Sequence, residues 1–276
     1  MIEWTLNYVA YSSDDFNRDS LIKVVRLVKE SLGDNGIINI AFNALNLNEN
    51  FIPSFHYGSI ADIPIKKILY RDNARREFGA WLDLAHSNKL HSCKDNALHI
   101  FVNSTWDKHR DASDEILSQY STSLINFSTL KDPLFAGPIS TMGKPFSINS
   151  VTISYWVCTY FFVFNQKAID IGAFQLTPED VKNSYFGNGL NEESYFSDSI
   201  DPFLKHRWEG WFFAAHQTPQ WYQAKPLKDY NTQDLYTKVV SCIDEHWLTR
   251  TAIAKNISIF PTLSTFTGSN QSIMDT

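Results

Sequence analysis

The chain has little that would mark it for a membrane, a disulfide scaffold or a nucleic acid. No apolar run reaches the roughly 20 residues that cross a bilayer, and the N-terminus lacks a basic segment followed by an apolar signal region. Cysteine is scarce: Cys93, Cys158 and Cys242, odd in number and widely spaced, fit neither a disulfide framework nor a zinc site. A reducing cytoplasmic setting is therefore expected, with at most peripheral contact at the inner face of a membrane. Basic residues are outnumbered, 24 Lys and Arg against 30 Asp and Glu, and the net charge of -6 argues against nucleic acid, which needs a basic surface to displace counterions. The histidines show no metal-ligand spacing, and neither a Gly-x-Ser-x-Gly nor a phosphate-loop motif is present, which removes the common hydrolase and kinase readings.

What is present is a globular composition. With 276 residues, 43% hydrophobic and 20% charged, the chain can bury a full core as one large domain or as one domain with an appended subdomain. Residues 4–11 read as a first strand, and Ser12-Ser13-Asp14-Asp15 as the cap of a helix on which Leu21, Val24, Val25, Val28 and Leu32 keep helical spacing. Gly33 to Gly36 ends that helix, 37–42 is a second strand, 65–70 a third and 97–102 a buried fourth, with a helix between the last two. Strands alternating with helices imply right-handed crossovers and a mostly parallel sheet through about residue 106.

The second half is less regular. A helix is expected within 111–127, a loop at 131–138 because Pro133 and Pro138 oppose regular structure, and a continuous β-prone run over 155–165. Residues 178–201 are polar and irregular, helices return at 202–215 and 233–254, and the chain from Ser264 reads as a loose tail.

The most informative stretch is 70–106. Tyr70-Arg71-Asp72-Asn73 carries turn and capping side chains, and it feeds a helix with a small apolar face at Gly79, Ala80, Leu82, Leu84 and Ala85. The strand 97–102 then ends in Asn103, Ser104 and Thr105. In open α/β sheets ligands lie at the carboxyl ends of strands, so these three polar residues read as a binding edge, against the plainer reading of a strand followed by a turn.

Four stretches resemble bacterial glycosyltransferases of the GT-A fold, in particular rhamnan-synthesis and surface-polysaccharide enzymes. Asn73 to Trp81 is similar to the family's Asn-x-Gly-x-Asp-Phe-Gly-Ala-Trp, with Arg75 where glycine is usual and Glu77 where aspartate is usual. Ile100 to Thr105 resembles an apolar strand ending in Asn-Asp-Ser, with Ser104 in place of the acid. Gly137-Pro138 with 155–165 looks like the strand beneath the acceptor site, and 242–250 like an acid-led helix near the active site.

The resemblance implies a GT-A-like α/β fold over 1–263, with 1–106 as the nucleotide-sugar half and 107–263 as the acceptor side. It implies transfer of a sugar from a UDP- or dTDP-type donor to a glycan or lipid-linked glycan acceptor in building a bacterial surface polysaccharide. The alternative it leaves open is a GT-A-like nucleotide- or glycan-binding protein without turnover. A structural partner in a polysaccharide-assembly complex, using the aromatic second half as its interface, is a third reading.

Each role falls on particular residues. Inverting transfer needs a carboxylate to take the acceptor hydroxyl's proton, and Glu245 and Asp244 are the residues so placed, against the plainer reading of exposed acids on a helix. Donor binding falls to Tyr11, Asp14, Asn43, Asn73, Arg75, Glu77, Asn103, Ser104 and Thr105, although Asp14 and Asp15 serve equally as helix caps. Trp156 and Tyr160 are the aromatic candidates for stacking on the acceptor, or else core. Asp107 is the one acid near the β edge; with Ser104 replacing the usual ligand, a metal-independent enzyme is expected, or one whose magnesium or manganese is held mainly by the diphosphate. Positive charge for the departing phosphate would then come from Arg71, Arg75, Arg76, Lys108, His109 or Arg110.

Overall fold

A computed structural model describes residues 2–10, 18–43, 58–87, 94–108, 113–187, 195–213 and 223–263. β1 (Trp4–Ala10) leads to α1 (Arg18–Leu32) and β2 (Gly36–Asn43); β3 (Ser59–Ile60) turns into β4 (Ile63–Arg71), followed by α2 (Arg76–Ser87) and β5 (Leu98–Asn103). After α3 (Asp114–Phe127) come β6 (Leu134–Gly137), β7 (Ile139–Ser140), β8 (Phe146–Ile148), β9 (Val151–Ile153), β10 (Trp156–Val157) and β11 (Phe161–Asn165). The remaining elements are α4 (Gln166–Asp170), α5 (Glu179–Ser184), α6 (Pro202–Phe213), α7 (Thr232–Ala254) and β12 (Ser258–Pro261).

The described residues form an α/β protein around one mixed, mostly parallel sheet of eight strands, in the order β12-β6-β11-β5-β1-β2-β4-β3. β4, β2, β1 and β5 run parallel, as the strand–helix alternation predicts. β11 enters antiparallel between β5 and β6, so strands from beyond residue 106 extend the same sheet. β1 is buried along its whole length, the pattern of a central strand covered on both faces. α1 and α3 cover one face over Leu6, Tyr8, Ile100 and Val102. Phe78 and Trp81 of α2, with Leu248 and Ala252 of α7, cover the other over Val9, Phe101 and Phe162. A third apolar cluster, with Phe146, Trp156, Trp208 and Trp247, joins α6 and α7 to β8 and β9.

Three segments differ from the sequence expectation. Pro133 and Pro138 flank a strand, β6, instead of preventing one, because neither has to donate to the ladder from within it. The Leu134 N–H instead donates to Asn165 Oδ1 at 3.0 Å. The β-prone run 155–165 is two strands interrupted at 158–160, where the Cys158 N–H donates to the Pro138 carbonyl at 2.7 Å. Within 178–201, α5 and a bridge between Phe186 and Phe196 give regular structure. The expected capping segment 12–15 and the tail from 264 lie outside the described residues.

β1 has β2 on one side and β5 on the other, and the chain goes out through β2 and β4 before returning to β5. The connections therefore part at the carboxyl ends of β1 and β5, which is where such a sheet opens a crevice. Asn43, Arg71 and Asn103 end β2, β4 and β5 along that edge.

Candidate functional site

The turn from β4 into α2 is built around Arg71. Its Nε donates to Asp83 Oδ2 at 2.8 Å, and its Nη1 donates to Asn43 Oδ1 at 3.2 Å and to the Ala74 carbonyl at 3.0 Å. The guanidinium passes directly over Gly79: a Cβ there would meet the Ala74 carbonyl at 2.4 Å and Arg71 Nη2 at 2.7 Å. Phe78 and Trp81 are fully buried, their rings edge to face at 5.4 Å, and Trp81 Nε1 donates to the Asn7 carbonyl at 3.2 Å. The Phe-Gly-Ala-Trp stretch is thus a packing device that seats α2 on β1. Arg75 and Arg76 both hold the left-handed conformation, at φ 56° and 48°.

The arginines expected to meet a phosphate divide by geometry. Arg71 is consumed by the turn. Arg75 Nη2 donates to Glu179 Oε2 at 3.1 Å, which ties the turn to α5. Arg76 is half-buried, and its Nε has no hydrogen-bond partner among the described residues. Asn73 Oδ1 is likewise buried and unpartnered there. Lys108 is exposed, while His109 and Arg110 fall outside the described residues, as do Tyr11 and Asp14.

At the β5 edge, Asn103 Oδ1 accepts from the Thr105 N–H at 3.1 Å and from Thr105 Oγ1 at 2.9 Å. Asn103 and Ser104 are buried. The Asn103 N–H donates to the Tyr160 carbonyl at 3.2 Å, and the residue before Tyr160 bonds to Glu245. Thr159 donates twice to Glu245 Oε1, from its N–H and its Oγ1, each at 2.9 Å. Both of these bonds fall on the same carboxylate oxygen. Burial raises the Glu245 carboxyl above its usual range, the two Thr159 bonds oppose that, and the neighbouring Glu77 carboxylate adds a smaller upward push. Glu77 is itself buried, with Oε2 unpartnered among the described residues.

Asp244, one residue earlier on α7, faces elsewhere. It is fully buried, and its Oδ1 accepts from the Thr177 N–H at 2.9 Å. Burial raises its carboxyl as well, with the Thr177 N–H and the Arg75 charge opposing. That contact fastens α7 to the segment before α5, so Asp244 braces the site while Glu245 is the half-buried acid.

The aromatic candidates are differently placed. Trp156 is buried, its ring edge-on to His246 at 4.8 Å, which leaves little of it to stack on a sugar. Tyr160 is half-buried beside the core under α1 and α3. Trp208 stacks on His246 and belongs to the core. Asp107 lies in electrostatic reach of the buried Tyr8 phenol.

A cleft of about 650 Å³ opens between the 72–76 turn and the start of α7, and its lining includes Asn73, Arg76, Asn231 and Gln233. Glu245, Asn103 and Thr105 do not line it. Thr237, which also lines it, is eight residues from Glu245 on α7, roughly 12 Å along the axis. Of the residues singled out from sequence, Glu245 is joined to Asn103 through Thr159 and Tyr160 and lies in electrostatic reach of Glu77, while Asn73 lines the cleft that those three do not. Sequence reasoning missed Thr159, because the break in the β-prone run exists only once Cys158 is bonded to Pro138. It also missed the start of α7 as a cleft wall, since a polar N-terminal turn reads the same on any surface helix.

The residues at the β5 edge do not fit a resident cation. Asn103 Oδ1 is committed to Thr105, Ser104 offers no carboxylate, and among the described residues no three His, Cys, Asp or Glu side chains come together as a ligand set. No protein-family model matches the chain, and comparison with curated proteins finds no relative.

Proposed function

We propose that the protein is a glycosyltransferase of GT-A-like fold that moves a sugar from a UDP- or dTDP-type donor to a bacterial surface glycan. The observation that carries this reading is the connection from Glu245 through Thr159 and Tyr160 to Asn103, which links a carboxylate of raised proton affinity to the polar rim of β5. The left-handed turn at Arg75 supports it too. Glycine, usual at that place in the resembling family, is the residue such a backbone favours.

In this reading the donor's nucleotide and its diphosphate lie along the carboxyl edge of the sheet, near Asn43 and Asn103. The acceptor hydroxyl gives its proton to Glu245 Oε2 as its oxygen bonds to the anomeric carbon. The bond from that carbon to the phosphate oxygen breaks, and the electron pair leaves with the nucleoside diphosphate. Thr159 holds Oε1, so the other oxygen points consistently at the acceptor. The expected setting is the cytoplasmic side of a membrane, and no described helix is long and apolar enough to cross one.

A second reading, a nucleotide- or glycan-binding protein without turnover, is favoured by one observation: the cleft lining does not include Glu245. The two separate in one assay. UDP- and dTDP-sugars are incubated with lipid-linked glycan acceptors and nucleoside diphosphate release is followed. Turnover is expected in the native protein, with Glu245→Gln losing about 10²–10⁴-fold in rate while keeping donor affinity. An unimpaired Glu245→Gln removes the base assignment, and binding without any release favours the second reading.

A further inference from the structure

A second hollow, of about 330 Å³, lies beside the cleft, and Gln233 lines both. We propose that the two form one trough across the amino end of α7, and that it binds the inner sugars of an extended, uncharged glycan. The ligand class rests on the transferase reading above; the place and the length of the ligand rest on the lining.

The cleft carries no net formal charge, since Asp72 and Asp234 are matched by Arg76 and Lys225. A polyanion would need an excess of positive charge there; an uncharged polyol does not. The remaining polar lining is dominated by amides, including Asn73, Asn231 and Gln233. A carboxamide carries both a donor and an acceptor, which matches a pair of neighbouring hydroxyls, although the Asn231 Oδ1 already accepts from the Gln233 and Asp234 N–H groups and leaves only its NH₂ to a ligand. Asn73 already has its Oδ1 out of water with no partner among the described residues, an arrangement that a ligand hydroxyl would satisfy.

The second hollow supplies the complementary surface. Tyr236 and Phe186, both half-buried, line it with their rings 4.9 Å apart, and an aromatic ring packs against the C–H face of a pyranose. Both hollows fall within the usual size of small-ligand pockets, so together they exceed what one sugar needs. The Glu245 carboxylate is roughly 12 Å along α7 from Thr237. Sugars in the trough are therefore distant from the reacting end and contribute to affinity, not to the chemical step.

The test is binding, which needs neither donor nor turnover. Neutral hexasaccharides of glucose, mannose and rhamnose, with their monosaccharides, are titrated by calorimetry against native protein, and UDP and dTDP serve as a separate arm. At least one hexasaccharide is expected to bind at least about tenfold tighter than its monosaccharide, with Tyr236→Ala and Asn73→Ala each weakening it about tenfold. Tyr236→Phe, which keeps the ring, is expected to retain affinity, which separates loss of stacking from loss of folding. Glu245→Gln is expected to bind the hexasaccharide as the native protein does. No binding by any hexasaccharide, equal binding of monosaccharide and hexasaccharide, or binding that survives both alanine variants overturns the trough. If UDP or dTDP binds while every glycan fails, the trough falls and the transferase reading stands; if glycans bind at the trough while no nucleotide does, the reverse holds.

Discussion

Acidification should unfold this protein through His246. The side chain is 3% exposed, boxed by Phe146 at 5.5 Å, Trp156 at 4.8 Å and Trp208 at 5.8 Å, and neither ring nitrogen has a hydrogen-bond partner among the described residues. Burial without any compensating partner pushes its pKa from 6.5 down to about 3. The native state therefore holds the neutral ring, whereas the unfolded chain takes up a proton below about pH 6.5. Stability from this residue is complete above that pH, falls by ~1.4 kcal/mol per pH unit below it, and levels off near pH 3, a total on the order of 5 kcal/mol. Asp244 and Glu245, whose carboxyls are raised in the native state, act in the opposite sense: their contribution is present at low pH and is lost as pH rises through their folded values.

The His246→Leu variant isolates the histidine, because the carboxylates are common to both proteins. Urea unfolding followed by tryptophan fluorescence should find the variant no less stable than wild type at about pH 7.5, since an apolar side chain leaves no buried nitrogen unsatisfied. By about pH 4.5 the variant should have gained on the order of 3 kcal/mol on the wild type. A stability difference that stays constant across that range refutes the reasoning, because it would mean that the ring is solvated or already paired in the native state.

Two backbone and core predictions accompany it. Arg75 holds φ 56° at an unfavourable cost for a side chain, and its link to Glu179 is an exposed pair worth little. Arg75→Gly should therefore be more stable than Arg75→Ala by about 1 kcal/mol in thermal or urea unfolding, and equal or reversed stabilities would dispose of the strain argument. Asn39 Nδ2 donates to Asn7 Oδ1 at 3.0 Å across adjacent strands, with both side chains fully buried. Asn39→Leu alone should cost about 1–3 kcal/mol by stranding the Asn7 amide, and the Asn7→Leu/Asn39→Leu pair should cost less than the sum of the singles. Strict additivity would show that the two amides do not interact.

What the sequence determined by itself were the features governed by near neighbours. Leu21, Val24, Val25 and Val28 could face one side only as a helix, and Leu98 to Val102 could be buried throughout only as a central strand, so the parallel unit of four strands was legible. The grouping of Asn73, Glu77, Asn103 and Glu245 as candidate site residues rests only on a resemblance, because nothing local joins the 73–77 turn to Asn103 and Glu245. Tertiary structure decided the rest. It made a strand of 134–137 by supplying β11 and β12 on its two sides, and it broke the run 155–165 where Cys158 bonds to Pro138. It chose between two adjacent acids, sending Asp244 to Thr177 and Glu245 to Thr159, because consecutive helix positions point about 100° apart and only the packed neighbours determine which direction leads to the site.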